Sequence, residues 1–510
     1  MELELDRTQR SGYEAVLDTT VCREETLESI VPDACPDILR ICDTEGVVCL
    51  RDKVLQDGRV ELSGSVRAAL LYLPDGEEGI RRMEVELPFS CTLEHPALTP
   101  LCRVVALPRV QGADARLINP RKVLVRVDLA FCVQVYAPVE DDICSGVLAP
   151  EEAGVQQMSE QCDACTTVCV QEKPFTFSDE ISLSGSKPEA EELLKCRAAL
   201  RCSESKVIGK QAYSLRRGRA SFRCSTAPPP ADCAQRNMSC PSPRSWRLRP
   251  GGEESTCDVY VVLTGLDCAL DSGDGRTISV SMGLLAQAVV REERTLQMLT
   301  DVYSTAFQLT AESRTYTLGR LVEHGEKELT VREILETGML AQEVSDAYVT
   351  IGAITQSRDG RRVTLTAEAN VTVLYLTEDG ARTSITRQLQ AACPLELPEE
   401  ASCSCHCGCT APVFATPTTG GIEVRFPVGF RYTAMTSRTT AAVSAVHMDE
   451  GTPRDHSGQP SIVLRMVGNG ERLWDIAKSY GTTAQDIMCA NALEEDVAPE
   501  GQLLLIPRKR

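Results

Sequence analysis

The sequence predicts a mainly β chain: three β-rich units of sandwich- or barrel-like build, then a small strand–helix–helix–strand domain (βααβ). Three observations carry this expectation. Apolar and polar residues alternate at period two through Val60–Val66 and again from Val363 to Leu376, the mark of half-buried strands. Asp-Gly pairs at 75–76, 359–360 and 379–380 close such runs as hairpin turns. Helical spacing emerges most clearly in the last ~45 residues, where Leu473, Trp474, Ile476 and Ala477 recur together.

In chain order, residues 1–30 read as a polar lead-in. Val31–Ile38 is a turn-rich entry to a first unit, 31–145, with strands at Gly46–Leu50, Val60–Leu73, Met83–Phe89 and Val123–Tyr136. A second unit covers 170–300 and a third 320–447. The run Leu71-Tyr72-Leu73-Pro74-Asp75-Gly76 returns as Leu374-Tyr375-Leu376-Thr377-Glu378-Asp379-Gly380. Closing strands begin near Lys122, Thr277 and Gly421, about 150 residues apart, as an internal repeat requires. Residues 448–461 form a polar, turn-rich linker expected to tether the last domain flexibly.

That domain, 462–508, starts on the apolar run Ile462-Val463-Leu464 and turns at Gly468-Asn469-Gly470. A helix follows from Leu473, and Gly481 suits its left-handed end. Thr483 with Asp486 three residues on is a capping box for a second helix that ends near Asn491. Leu503–Ile506 closes the domain as a strand, with Trp474, Ile476 and Ile506 as its expected core.

One segment departs from the pattern. Lys210–Pro250 holds nine basic residues and one acidic, Asp232, in a chain of net charge −20, and shows no period of two. It reads either as a basic, poorly ordered insertion or as a stretch translated out of frame. Shifting plausible codons by two bases over Arg223–Pro250 restores a Leu-Tyr and a Glu-Leu-Pro-Phe element.

Composition narrows the function. A length of 510 residues implies three or four domains, and 43% apolar content supplies their cores. Only 4% of residues are aromatic, unlike a glycan-degrading enzyme lined with Trp and Tyr. The charge of −20 disfavours nucleic acid and anionic membrane surfaces as partners. The start MELELDRTQR has no apolar signal core, and no run spans a membrane, so a cytosolic protein is expected. The 24 cysteines then read mostly as reduced, buried hydrophobes. The densest cluster, Cys403, Cys405, His406, Cys407 and Cys409, is a weak metal candidate, since C-x-C spacing on a strand suits one tetrahedral site poorly. Redox or cross-linking roles and incidental loop cysteines stay open beside it. Cys162, Cys165 and Cys169 form a second cluster. The five histidines are scattered and no hydrolase or phosphate-loop motif occurs, so neither an enzyme nor a cofactor is expected.

The C-terminal stretch resembles the LysM domain, through Leu473-Trp474-Asp475-Ile476-Ala477, Tyr480-Gly481-Thr482-Thr483, Asn491, Gly501-Gln502-Leu503 and Ile506-Pro507. The resemblance implies a shallow groove for N-acetylglucosamine polymers such as peptidoglycan or chitin between the two strand–helix loops. Here that groove would be formed by Asn469, Gly470, Glu471, Arg472, Asn491 and Glu494. The family's Gly-Asp-Thr triplet is Gly470-Glu471-Arg472, with a poorer cap at Glu471 and a charge at the groove lip. Both changes favour a protein contact over a glycan.

The repeats followed by this domain resemble the SPOCS-domain proteins of the SipL type. Val31-Pro32-Asp33, Pro36-Asp37-Ile38, Leu71-Tyr72 with Asp75-Gly76, and Glu86-Leu87-Pro88-Phe89 carry the likeness. It implies a scaffold of endospore formation in the mother-cell cytoplasm, at the forespore surface. Its implied partner is the ATPase of the spore coat's basement layer, with the LysM domain taking part in the contact.

Overall fold

The computed structural model describes residues 3–77, 79–183, 189–202, 205–207, 213–215, 218–227, 234–240, 255–454, 460, 462–495 and 500–507. Of the described residues between 201 and 240, and at 450 and 451, it describes backbone alone. The fold is mainly β, with two short helices near the C-terminus.

The first stretch runs β1 (Glu4–Ile30), β2 (Ile38–Gln56), β3 (Arg59–Pro74), β4 (Arg81–Glu94), β5 (Arg103–Asn119) and β6 (Lys122–Leu148). The second runs β7 (Val155–Ser182), β8 (Glu192–Cys202), β9 (Ser205–Val207), β10 (Tyr213–Leu215), β11 (Gly218–Ala227), β12 (Ala234–Cys240), β13 (Thr256–Leu270) and β14 (Thr277–Ser304). The third runs β15 (Phe307–Leu335), β16 (Ala341–Asp359), β17 (Arg362–Thr377), β18 (Arg382–Glu396), β19 (Ser402–Cys409), β20 (Phe414–Thr418) and β21 (Gly421–Pro453). The last carries β22 (Ile462–Met466), α1 (Leu473–Tyr480), α2 (Ala484–Asn491) and β23 (Leu503–Pro507).

Long antiparallel pairs frame the chain: β1 with β6, β7 with β14, and β15 with β21. The polar lead-in is therefore corrected: residues 4–30 are a strand, paired with β6 from Glu4↔Leu148 to Ile30↔Lys122. Sequence pattern missed it because backbone hydrogen bonds hold it while few of its side chains are buried. The linker is shortened as well, because β21 runs on to Pro453, opposite Phe307.

Three-stranded sheets cover these frames: β2-β3-β4, β12-β11-β8 and β16-β17-β18. The Asp-Gly turns lie where hairpin chemistry puts them, with positive φ at Gly76, Gly360 and Gly380. Pro88 and Pro394 fall on edge strands β4 and β18, where a missing N–H breaks no ladder. Period-two burial on β3 turns Val60, Leu62, Val66, Ala68 and Leu70 onto Val123, Val125, Val127, Leu129 and Phe131 of β6. In the third stretch Val363, Leu365, Val371 and Val373 of β17 share a core with Val424, Phe426, Val428 and Phe430 of β21. The sandwich or barrel expectation is corrected to a propeller-like arrangement, because the long strands of the first two stretches join one six-stranded sheet, β13-β14-β7-β1-β6-β5.

Inside Lys210–Pro250, where the sequence shows no period of two, β11 and β12 pair beside β8, since a backbone ladder does not require an apolar alternation. Tyr213–Leu215, β10, pairs with β9. The remaining residues of that segment lie outside the described ones, as do the side chains on which the reading-frame expectation turns.

Where the small sheets converge, charge is buried. Asp43 and Glu45 of β2 meet Lys195 and Arg197 of β8 and Asp346 and Tyr348 of β16. Lys195 pairs with Asp43 and stands 3.3 Å from Glu45. Arg197 pairs with Glu45 and grips Asp346, with one of its bonds at 3.0 Å. The Tyr348 hydroxyl donates to Asp43 at 3.1 Å, and the Arg197 guanidinium lies 4.3 Å from the Tyr348 ring centre. Burial works against the Lys195 ammonium, but the carboxylates of Asp43, Glu45 and Asp346 outweigh it and hold its pKa above the usual lysine range.

A second junction places His406 of β19 edge-on to Tyr260 of β13, ring centres 4.8 Å apart. The residue keeps some exposed surface, yet both ring nitrogens are shut from solvent and have no hydrogen-bond partner among the described residues. Burial, with Arg109 next, pushes this imidazole down to about 3.

Two outcomes follow from these buried groups. Lys195→Met leaves three carboxylates facing one cation and destabilises the fold by about 3–5 kcal/mol, read from the urea midpoint. Arg126→Ala, at an exposed pair, moves that midpoint little. His406 titrates near 6.5 when unfolded but only near 3 when folded, so stability falls as pH drops through that window. His406→Phe flattens this acid slope, gaining on the order of 2 kcal/mol over the parent at about pH 4.5; a variant that tracks the parent across that window refutes the assignment.

Candidate functional site

β22 and β23 pair antiparallel from Ile462↔Pro507 to Met466↔Leu503, and both helices pack on one face of this ribbon. Leu473, Ile476, Ala477, Ile487, Leu504 and Ile506 form the core. Gly481 ends α1 at φ 64°, its N–H reaching back to the Ala477 and Lys478 carbonyls. The Thr483 hydroxyl accepts from the Asp486 N–H at 2.9 Å and caps α2, as its spacing predicts.

The loop 467–472 lies beside the turn at 500–502. Gly470 N–H donates to Glu500 at 3.1 Å, and Val467 exchanges backbone bonds with Gln502 and Gly501. Asn469, Gly470, Arg472 and Glu494 are exposed. Residue 472 rather than Glu471 holds the N-cap position of α1, and the Arg472 side chain makes no capping bond. Instead its guanidinium turns forward onto Asp475 at 2.9 and 3.0 Å. Glu471 accepts from Arg465 at 2.6 Å and from Gly468 N–H at 2.9 Å. Asn491 is committed to structure: its amide donates to the Ile487 and Leu505 carbonyls and accepts from Leu505 N–H, at 2.7 to 2.8 Å. It ties α2 to β23 and has little left to offer a ligand.

Residues 37–118 match the family model described as SipL, SPOCS domain, and residues 466–507 match the LysM domain. The chain carries a SipL SPOCS domain and a C-terminal LysM domain. No curated protein and no solved structure matches the chain. The SPOCS match spans β2 to the end of β5, inside the first long pair. Both are non-catalytic domain families, and together they fit a sporulation protein with a glycan-binding module.

The LysM domain is docked on the body, which its sequence alone could not reveal. Trp474 is half-buried at this junction, not enclosed in the LysM core as expected. Its indole N–H donates to Asp301 at 2.8 Å, and its ring meets Tyr303 edge-on at 4.8 Å. Lys478 pairs with the same carboxylate at 2.6 Å. The buried Tyr303 hydroxyl donates to the Thr482 carbonyl at 2.8 Å, and its ring completes the LysM core. Asp301 and Tyr303 end β14, more than 170 residues before their partners, so no local pattern marks them. Burial works against the Asp301 carboxylate, but hydrogen bonds from Lys478 and Trp474 hold its pKa below the ordinary 3.8.

The cysteine clusters do not converge. Cys403, Cys405, Cys407 and Cys409 share one face of β19 and pack into the apolar core of the third stretch, while His406 points the other way, at Tyr260. Burial pushes the Cys403 and Cys407 thiols up to about 11, away from the thiolate a metal needs. Cys162 and Cys169 enter separate apolar clusters, and Cys165 is buried beside them on β7. Among the described residues no group of His, Cys, Asp or Glu is arranged to hold a metal ion. No helix among the described residues is long and apolar enough to cross a membrane.

Asp301→Ala removes the Trp474 and Lys478 anchors of the LysM domain and leaves the Tyr303–Thr482 bond. It is expected to release the domain while leaving the LysM core folded, read as a longer maximum dimension by small-angle scattering with unchanged helix signal. Trp474→Ala acts the same way. Loss of the helix signal at the parent's transition temperature defeats this reading. Because the Asp301 pKa is lowered, its share of docking is complete above the unfolded value of 3.8 and lost as pH falls through the lower folded value.

Proposed function

We propose that this chain is a non-catalytic scaffold of endospore formation: three copies of one β unit carrying a LysM domain that docks a protein partner. The recurrence of a long pair closed over a three-stranded sheet, at β1–β6, β7–β14 and β15–β21, supports the three-copy reading. By its SPOCS–LysM resemblance, the protein works in the mother-cell cytoplasm at the forespore surface. There it recruits or anchors the coat basement layer through the basement-layer ATPase.

One observation carries the protein-contact reading. Ile462, Leu464, Met466 and Leu503 are 55 to 64% exposed. By register they share the face of β22–β23 turned away from the helices. Such a contiguous apolar face marks a protein interface more than a site for a hydrated glycan. The groove lip adds to this, since Glu471 and Arg472 are turned into ion pairs with Arg465 and Asp475. A glycan reading rests on the LysM match and on the open loops at Asn469–Arg472 and Glu494.

The test pairs two measurements. Leu464→Glu and Arg472→Glu, both at exposed sites, are expected to cut recovery of the basement-layer partner from sporulating cells at least tenfold while the LysM helix signal persists. Calorimetry of the full chain with chitin oligomers is expected to show no saturable heat. Saturable oligomer binding lost on Arg472→Glu, with partner recovery unchanged, reverses the assignment.

A further inference from the structure

A cavity of about 750 Å³ opens between the first and second stretches. Cys49, Cys196 and Cys268 line it, with Arg67 and Arg82. Cys196 lies on β8 and Cys268 on β13, strands of different sheets. Their thiols are hydrogen-bond partners, and that bond is the largest influence raising the Cys268 thiol. This pair differs from the β19 cysteines, which lie side by side along one strand and pack against the apolar core of the third stretch. Cys196 also sits between Lys195 and Arg197, so whatever fixes it fixes the strand that brings both cations to the buried charge cluster.

We infer that Cys196 and Cys268 form an oxidative modification site, converted to a disulfide by a hydroperoxide that enters the cavity. A thiolate is the reactive form; at Cys268 the bond from Cys196 and burial outweigh Arg82 and Arg67 and hold the thiol protonated, so Cys196, packed beside it, is the sulfur that meets the peroxide first and Cys268 the one that resolves. The thiolate sulfur of one cysteine attacks a peroxide oxygen. The O–O bond breaks, a sulfenic acid forms, and the departing oxygen takes a proton to leave as alcohol or water. The second thiol gives up its proton and attacks the sulfenic sulfur; the S–S bond forms, the S–OH bond breaks and water leaves. Two thiols and one hydroperoxide thus become one disulfide, one alcohol (or water) and one water. Two sulfurs are oxidised and the two peroxide oxygens are reduced. The product staples β8 to the large sheet across an open cavity, where a thiol reductant can reverse it.

The experiment treats the full-length reduced protein with hydrogen peroxide, blocks remaining thiols by alkylation, and maps peptides without reductant. The expected result is a Cys196–Cys268 linkage forming ahead of any other and disappearing on addition of dithiothreitol. In Cys268→Ala the sulfenic acid at Cys196 persists and is captured by dimedone. Recovery of Cys196 and Cys268 as separately alkylated thiols, while other cysteines are oxidised, overturns the inference. So does a linkage that joins either one to a different cysteine first. The mapping of the unaltered protein decides the matter even where a variant fails to fold.

Discussion

The fold depends on the charge cluster at the meeting point of the three small sheets. Three carboxylates from β2 and β16 enclose two cations from β8, and the Tyr348 hydroxyl supplies a further donor. No single unit satisfies it. β2 alone would bury Asp43 and Glu45 without a counter-charge, and β8 alone would bury Lys195 and Arg197. Removing charges from water costs several kcal/mol per ion, and only complete pairing returns that cost. The cluster therefore adds little net stability and enforces register: β2, β8 and β16 close together or leave charge stranded. Apolar packing of the first and third small sheets on their closing strands, β3 on β6 and β17 on β21, provides the driving force there.

This division explains how a strand as polar as β1 can be integral. Its backbone is consumed by β6 over its whole length, while the apolar face it lacks is supplied by the sheet stacked on β6. It also explains how the LysM domain is held. β14 is buried with the body at Arg291, which is paired with Asp258 at 2.6 Å, and the same strand ends at Asp301 and Tyr303 inside the LysM contact. A short domain receives an aromatic ring from its host, so Tyr303 serves both the contact and the covering of the LysM core.

Much of this was legible in the sequence where the signal is local. The Asp-Gly turns, the alternation on β3 and β17, the βααβ order, the Thr483 cap and the Gly481 terminus all follow from neighbours a few residues apart. What stayed hidden depends on distant partners. The lead-in reads as polar because its ladder partner begins over a hundred residues later. Trp474 reads as core because only the body reveals Asp301 as its acceptor. Asn491 reads as a groove residue because a family motif does not distinguish an amide that binds a ligand from one spent on Ile487 and Leu505. Lys195 and Arg197 drew no notice, since a lone Lys-Cys-Arg looks like a solvated strand face until two other units bring carboxylates to it.

Docking also constrains which LysM surfaces remain for a partner. The outer side of α1 is spent on Asp301 through Trp474 and Lys478, and the Thr482 carbonyl is spent on Tyr303. The helices cover one face of the β22–β23 ribbon. The sheet face bearing Ile462, Leu464, Met466 and Leu503 stays open, along with the exposed loop residues Asn469, Gly470 and Arg472. These lie on the same small domain, whose strands and loops move with the body while Asp301 holds α1. A partner that engages them therefore meets a surface already fixed in orientation and does not bear the entropy of ordering a tethered domain. The Asp301 contact thus converts a module that could hang on a linker into a fixed projection of the β body.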